Sequence, residues 1–208
     1  MVISLLALMV ANGSAVEGES AHSDGAPKGD IRAPAEVGQG FAKYTRTAEL
    51  KLSRAFGTTE TGSNRSHDLW LTQVQGGLML TDVVAQNWWF GGNVEGIAQL
   101  LAGGQDNPEA AYFVGLNGGL RYHLRTGTRL NPFVSGSIGV ASTDIGGPDL
   151  SGSFQFNEQI GAGFRYFITE QYAISLEYAF WHVSNGGIRE PNDGVNAHLV
   201  SLGVAWIF

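Results

Sequence analysis

From about Tyr44 to Phe208, apolar and polar residues alternate with a period of two. At that spacing, successive side chains of a β-strand point to opposite faces. The alternation predicts strands over residues 44–54, 68–80, 88–101, 111–124, 130–142, 153–168, 172–184 and 196–208. In the fourth, Tyr112, Val114, Leu116, Leu120, Tyr122 and Leu124 share one face, and Gly115, Asn117, Gly119, Arg121 and His123 share the other. In the last, Val200, Leu202, Val204, Trp206 and Phe208 oppose Ser201, Gly203 and Ala205.

The second face separates the two kinds of barrel that such strands can build. A soluble barrel turns its apolar face inward and covers the outside with charge. Here only 15% of residues are charged, and the second face is mostly Gly, Ser, Asn and Gln with a few ions of both signs: Glu49, Lys51, Glu95, Arg121, Arg165 and Glu177. Small polar residues and opposite charges fit inside a narrow eight-stranded barrel. The large aliphatic and aromatic face then suits hydrocarbon, with Trp and Tyr at the interfaces. The expected connections alternate, with 57–67, 102–110, 143–152 and 185–195 long and polar, and 81–87, 125–129 and 169–171 shorter. The expected fold is therefore all-β: an eight-stranded antiparallel up-and-down transmembrane β-barrel with periplasmic termini, integral to a bacterial outer membrane. The terminal Phe208, with alternate apolar residues before it, resembles the assembly signal of such proteins. A soluble lipocalin-like barrel is the alternative architecture. A passive pore is disfavoured, because eight strands enclose an interior filled by side chains.

The N-terminal segment breaks the alternation. Residues 1–15 read as a signal peptide, with an apolar stretch from Val2 to Val10 and a small-residue cleavage site at Gly13-Ser14-Ala15, although a positive n-region is missing. Residues 16–40 read as a flexible polar extension, which leaves 41–208 for the barrel. No later stretch approaches the roughly 20 apolar residues of a membrane helix. The net charge of -7 argues against nucleic acid as a partner, and the absence of cysteine removes disulfides and thiolate metal sites.

Candidate chemistry sits in the tail, FWHVSNGGIREPNDGVNAH. His182 and Ser184 continue the face of Tyr172, Ile174, Leu176, Tyr178 and Phe180, so both point out of the barrel at its far end. A hairpin pairing 182 with 196 sets Phe180 opposite His198 and brings Asn196 beside His182; a slip of one residue would reverse a face. A histidine within hydrogen-bond reach turns serine into a nucleophile, and polar residues on a lipid-facing surface are functional candidates. The plainer reading is a polar interface rim, since His-x-Ser is a common string.

The longer string is more specific. His-x-Ser-Asn-x-Gly followed by Pro-Asn-Asp-Gly (His182, Ser184, Asn185, Gly187, Pro191, Asn192, Asp193, Gly194) resembles the C-terminal motif of the PagL-type lipid A 3-O-deacylases, the acyloxyacyl hydrolase family. The resemblance covers the barrel and not residues 1 to about 40. It implies hydrolysis of the ester-linked hydroxyacyl chain at the 3-position of lipid A, with lipopolysaccharide of the outer leaflet as partner and the site at that level. Ser184 would attack, His182 would serve as base and then acid, and Asn185 with the backbone N–H groups around Gly186 and Gly187 would stabilise the oxyanion. No metal and no cofactor are implied, and a homodimer is left open. One departure stands out: the family pattern has a glutamate two residues after Pro-Asn-Asp-Gly, where this chain has Asn196. Three readings follow. Asn196 orients His182, or Glu190 or Asp193 supplies the charge, or the site is degenerate and the barrel is non-catalytic, structural or lipopolysaccharide-binding.

Elsewhere, His67-Asp68 and His123 match no metal spacing and read as structural. Asn64-Arg65-Ser66 is a glycosylation sequon in form only. Asp144 and Asp149 share one loop and could hold a cation, with solvation the plainer expectation.

Overall fold

In a computed structural model, residues 37–208 are described. The expected signal peptide, and all of the expected extension except residues 37–40, lie outside the described residues. Eight antiparallel strands close into one barrel in chain order: β1 Arg46–Thr58, β2 Asp68–Met79, β3 Gly92–Asn107, β4 Ala111–Leu124, β5 Leu130–Thr143, β6 Phe154–Phe167, β7 Tyr172–Ser184 and β8 Val195–Ile207. β1 pairs with β8 from Thr47↔Ile207 to Thr58↔Asn196, so no sheet edge is left open. Among the described residues there is no helix.

The expected parity holds around the barrel. Leu50, Leu52, Leu116, Leu120, Ile138, Ile160, Leu202 and Val204 are exposed on the outside, while Glu49, Lys51, Glu95, Arg121, Arg165 and Gln73 are buried within. Such an inversion is stable only where the outside is hydrocarbon. Inside, the polar groups form a middle layer. Glu49 accepts from Arg121 at 2.9 Å and from Arg165 at 2.8 Å, and Glu177 accepts from Lys51 at 2.8 Å and from Arg121 at 3.0 Å. His123 Nε2 lies 2.7 Å from Glu95. Apolar layers close this one from both sides. Phe41, Met79, Phe167, Ala173, Ala205 and Ile207 fill the end near the chain terminus. Leu69, Leu71, Leu101, Phe113, Trp181 and Val183 belong to the cluster at the other end.

Three expected boundaries are wrong by four residues or more, the first being the end of β1, which runs on to Thr58 instead of stopping at Arg54. β3 does not begin at Trp88; Trp88, Trp89 and Phe90 belong to an exposed turn closed by the Val84↔Gly92 bridge. Three consecutive aromatics suit an interface as well as a strand start, and the turn hydrogen bonds Trp88 N→Ala85 O and Gly91 N→Trp88 O decide the matter. β3 instead continues to Asn107, through the glycine-rich segment expected as a long loop, because its backbone ladder with β2 and β4 persists there. Only residues 108–110 link β3 to β4, so the alternation of long and short connections fails at that point. Three long connections, 59–67, 144–153 and 185–194, remain at the end away from the terminus, and they meet each other.

Candidate active site

β7 carries the site, and its parity is locked from inside. Trp181 is fully buried, donates from Nε1 to Asn157 Oδ1 at 2.6 Å, and meets Phe113 edge-on with ring centroids 5.0 Å apart. Its neighbours His182 and, two residues on, Ser184 therefore face outward, where both are half-buried. β7 and β8 pair with His182 opposite Asn196 and Phe180 opposite His198, the register expected for this hairpin.

Asn196 lies on the outer face yet is buried, because the 59–67 connection covers it. Its Nδ2 donates to Ser63 Oγ at 3.1 Å and to Thr61 O at 3.3 Å, and its backbone N donates to Ser63 Oγ at 3.0 Å. A backbone carbonyl can only accept, so the amide nitrogen must face Thr61 and the amide oxygen must face the histidine. His182 Nδ1 then donates to Asn196 Oδ1, at 2.7 Å. That contact assigns the proton to Nδ1 and leaves the Nε2 lone pair as a base. Of the three groups weighed to orient His182, Asn196 is the one in contact with it. Asp193 is held elsewhere, accepting from Asn64 Nδ2 at 2.5 Å, and Glu190 is exposed. Ser184 shares the face of His182, but among the described residues its hydroxyl is not hydrogen-bonded to the ring.

The motif residues build the covering loop. Asn192 Oδ1 accepts from Asn185 N at 2.8 Å, and Gly194 N donates to Asp149 O at 3.0 Å. Pro191 abuts Gly147. Gly194 has φ +84, and a Cβ there would stand 2.8 Å from His182 Cε1, so only glycine lets this loop lie against the ring. Asn185 corrects an expectation. Its side chain points inward, where Nδ2 donates to Ser151 O at 3.0 Å and to Arg189 O at 2.8 Å. With its backbone N also engaged, it has no donor left for an oxyanion. Gly186 and Gly187, at φ +65 and +79, follow it on the outer side, and a Cβ on Gly186 would meet the Phe156 ring at 3.1 Å.

Three long connections are tied together behind the site. His67 is buried, with Nδ1 2.7 Å from Gln105 Oε1 and Nε2 2.8 Å from Asp149 Oδ2. Asp149 also accepts from the backbone of Asn64 and, at 3.1 Å, of Arg65. Burial would raise the Asp149 carboxyl, but His67 and these N–H groups outweigh it and hold the group below the usual carboxylate range. Asp144 Oδ1 accepts from Tyr112 N at 2.6 Å. Both loop aspartates are thus engaged by protein rather than simply solvated. Among the described residues no cluster of three or more His, Asp or Glu could hold a metal.

Sequence reasoning missed Ser63, Thr61 and Glu158. Ser63 and Thr61 carry no signal, since the pairing of β1 with β8 that brings their connection over Asn196 is not encoded locally. Glu158 did have one: it interrupts the outward apolar row of Phe154, Phe156 and Ile160. It pairs directly with His182 across β6 and β7.

An apolar outer wall and an ion-paired interior define a small integral membrane β-barrel, and a tautomer-fixed histidine and a serine on that wall mark its candidate site. The chain belongs to the lipid A 3-O-deacylase (PagL) family, whose model matches residues 55–205, and it is an integral outer-membrane protein. Two curated relatives are both named lipid A deacylase PagL. The one from Pseudomonas aeruginosa is 32% identical over 75 residues, covering 35% of this chain and 41% of the relative. The one from Bordetella bronchiseptica is 36% identical over 78 residues, covering 38% of each. The matched stretches thus span about two-fifths of those relatives' own length. The crystal structure of the outer membrane enzyme PagL superposes with a TM-score of 0.55 at 18% identity, over 74% of this chain and 97% of that one. Neisserial surface protein A gives the same TM-score of 0.55 at 15% identity, over 79% of this chain and 97% of that one. Equal scores mean that the fold by itself selects no activity.

Proposed function

We propose that this barrel is a serine esterase that removes the ester-linked 3-position hydroxyacyl chain of lipid A, with the chain termini on the periplasmic side and the site at the level of the outer leaflet. One observation carries the reading: Asn196 donates to Thr61 and Ser63, accepts from His182 Nδ1, and so leaves Nε2 free to act as base beside Ser184. Ser184 Oγ attacks the ester carbonyl while its proton passes to His182 Nε2. The tetrahedral intermediate then collapses, the bond to the sugar oxygen breaks, and His182 returns the proton to that oxygen. Water, deprotonated by the same nitrogen, attacks the acyl-serine; the bond to Ser184 Oγ breaks, His182 passes that proton to Oγ, and the acyl chain leaves as a free acid. The backbone N–H groups of Gly186 and Gly187 are the remaining oxyanion donors on the outer side. The open groove lined by Ile138, Ile160, Phe180 and His182 suits an acyl chain standing against the wall.

The second reading is a non-catalytic lipopolysaccharide-binding or structural barrel. It is favoured by the amide at position 196, because exchanging acid for amide in a serine-protease triad lowers kcat about 10⁴-fold. Mass spectrometry of lipid A from outer membranes carrying the protein or Ser184→Ala separates the two. Loss of one hydroxyacyl mass with the parent alone is the expected result. Identical spectra, with both barrels folded and present, would favour the second reading.

A further inference from the structure

We propose that Glu158 supplies the negative charge that the His182 imidazolium needs and that Asn196 cannot provide. The inference rests on the deacylase reading above. An amide oxygen can fix the histidine tautomer, but it carries no charge to offset the cation formed when His182 takes the serine proton. Glu158 is the residue of β6 directly opposite His182. Opposed residues on antiparallel strands have Cβ atoms about 5 Å apart. His182 is therefore flanked on β8 by the amide that orients it and on β6 by a carboxylate.

The surroundings of Glu158 give it no other evident task. It is exposed on the outer wall, with Ile138 opposite it on β5 and Phe156 and Ile160 beside it on β6. Other acids of the strands have cations: Glu49, Glu95 and Glu177 lie inside near Arg121, Arg165 and Lys51, while Asp68 and Asp106 meet Arg54. Among the described residues the Glu158 carboxylate makes no ion pair or hydrogen bond. A carboxylate on the lipid-facing wall of a barrel is unfavourable, and such residues are functional candidates by default. Glu158 and His182 also line the same groove. The other ionisable groups near the ring are committed: Asp193 to Asn64, and His198 Nδ1 to the Tyr178 hydroxyl at 2.6 Å. The role of Glu158 is electrostatic and is exerted through His182.

The test compares deacylation kinetics of the purified full-length protein, in mixed micelles of lipid A, for the parent, Ser184→Ala, Glu158→Gln, Asn196→Asp and the Glu158→Gln/Asn196→Asp pair. Glu158→Gln is expected to lower kcat about tenfold to a hundredfold with KM unchanged, as expected for loss of one nearby opposite charge that acts only in the transition state. Adding Asn196→Asp, which places a carboxylate at the amide's position, is expected to restore most of that loss. A Glu158→Gln enzyme with parental kcat, a rise in KM alone, or a pair no faster than Glu158→Gln would each overturn the inference. A parent no more active than Ser184→Ala would instead sink the deacylase reading beneath it.

Discussion

Hydrogen bonds of one side chain decide the state of His182. Asn196 can present its oxygen to the ring only because its nitrogen has partners of its own in Ser63 and Thr61. Ser63 is the more consequential of these, since it accepts from both the backbone and the side chain of Asn196. Removing its hydroxyl leaves buried donors unpaired, at about 1–3 kcal/mol, and leaves only the longer contact to Thr61 O to hold the amide. Ser63→Ala is therefore expected to lower kcat for deacylation about tenfold while the barrel stays folded, and Ser63→Thr should retain activity. A Ser63→Ala enzyme with parental kcat would mean that the amide is oriented without the serine. At this scale the tail was partly legible. The outward parity of His182, Ser184 and Asn196 follows from period-two alternation, and so does the outlying position of Glu158. The inward commitment of Asn185 was not legible, because its acceptors Ser151 and Arg189 lie on two different connections.

At the scale of elements, the long connections act as one clamp. Asp149 gathers the backbone of Asn64 and Arg65, the ring of His67 and, through its own carbonyl, the N–H of Gly194. It thus links the connection that orients Asn196 to the one that lies against His182. The carboxyl of Asp149 is held below its ordinary value. The stability it contributes is then fully present above the unfolded carboxylate value of about 4 and is lost as pH falls through the lower folded value. Amide-exchange protection of Asn64 and Arg65 should hold from neutral pH down to about pH 4 and decline below it. Asp149→Asn should lose that protection at neutral pH, where the parent keeps it. Equal protection in both proteins would show that other contacts hold the clamp. Strand existence was legible for all eight strands, but the limits of β3 were not, because ladder pairing with β2 and β4 extends a glycine-rich segment that has no alternating signal of its own.

For the whole molecule, the decisive feature is a charge layer enclosed between two apolar ones. Arg165 is fully buried and donates to Glu49 at 2.8 Å. Replacing it with leucine leaves Glu49 with weaker compensation inside the barrel. Breaking a buried ion pair from one side costs about 3–5 kcal/mol. Arg165→Leu should shift the urea midpoint of the detergent-folded barrel downward by a corresponding amount, and an unchanged midpoint would mean that the layer contributes nothing to stability. Because this layer and the site use opposite faces of the strands, the variant should unfold earlier yet act normally while folded.

The sequence by itself determined what local periodicity can carry: eight strands, the face each residue takes, and the string that marks the family. Side-chain direction along a strand depends only on the backbone pleat, so a single chain read in order suffices for it. Tertiary structure decided which group meets His182 and which does not. Hairpin pairing already set Asn196 beside His182, but only the folded barrel showed Ser63, 133 residues from Asn196 in the chain, holding that amide, and Glu158 pairing with His182 across β6 and β7. The meeting of Ser63 with Asn196 depends on β1 closing the barrel against β8 and on one connection covering the site, and no local pattern encodes it.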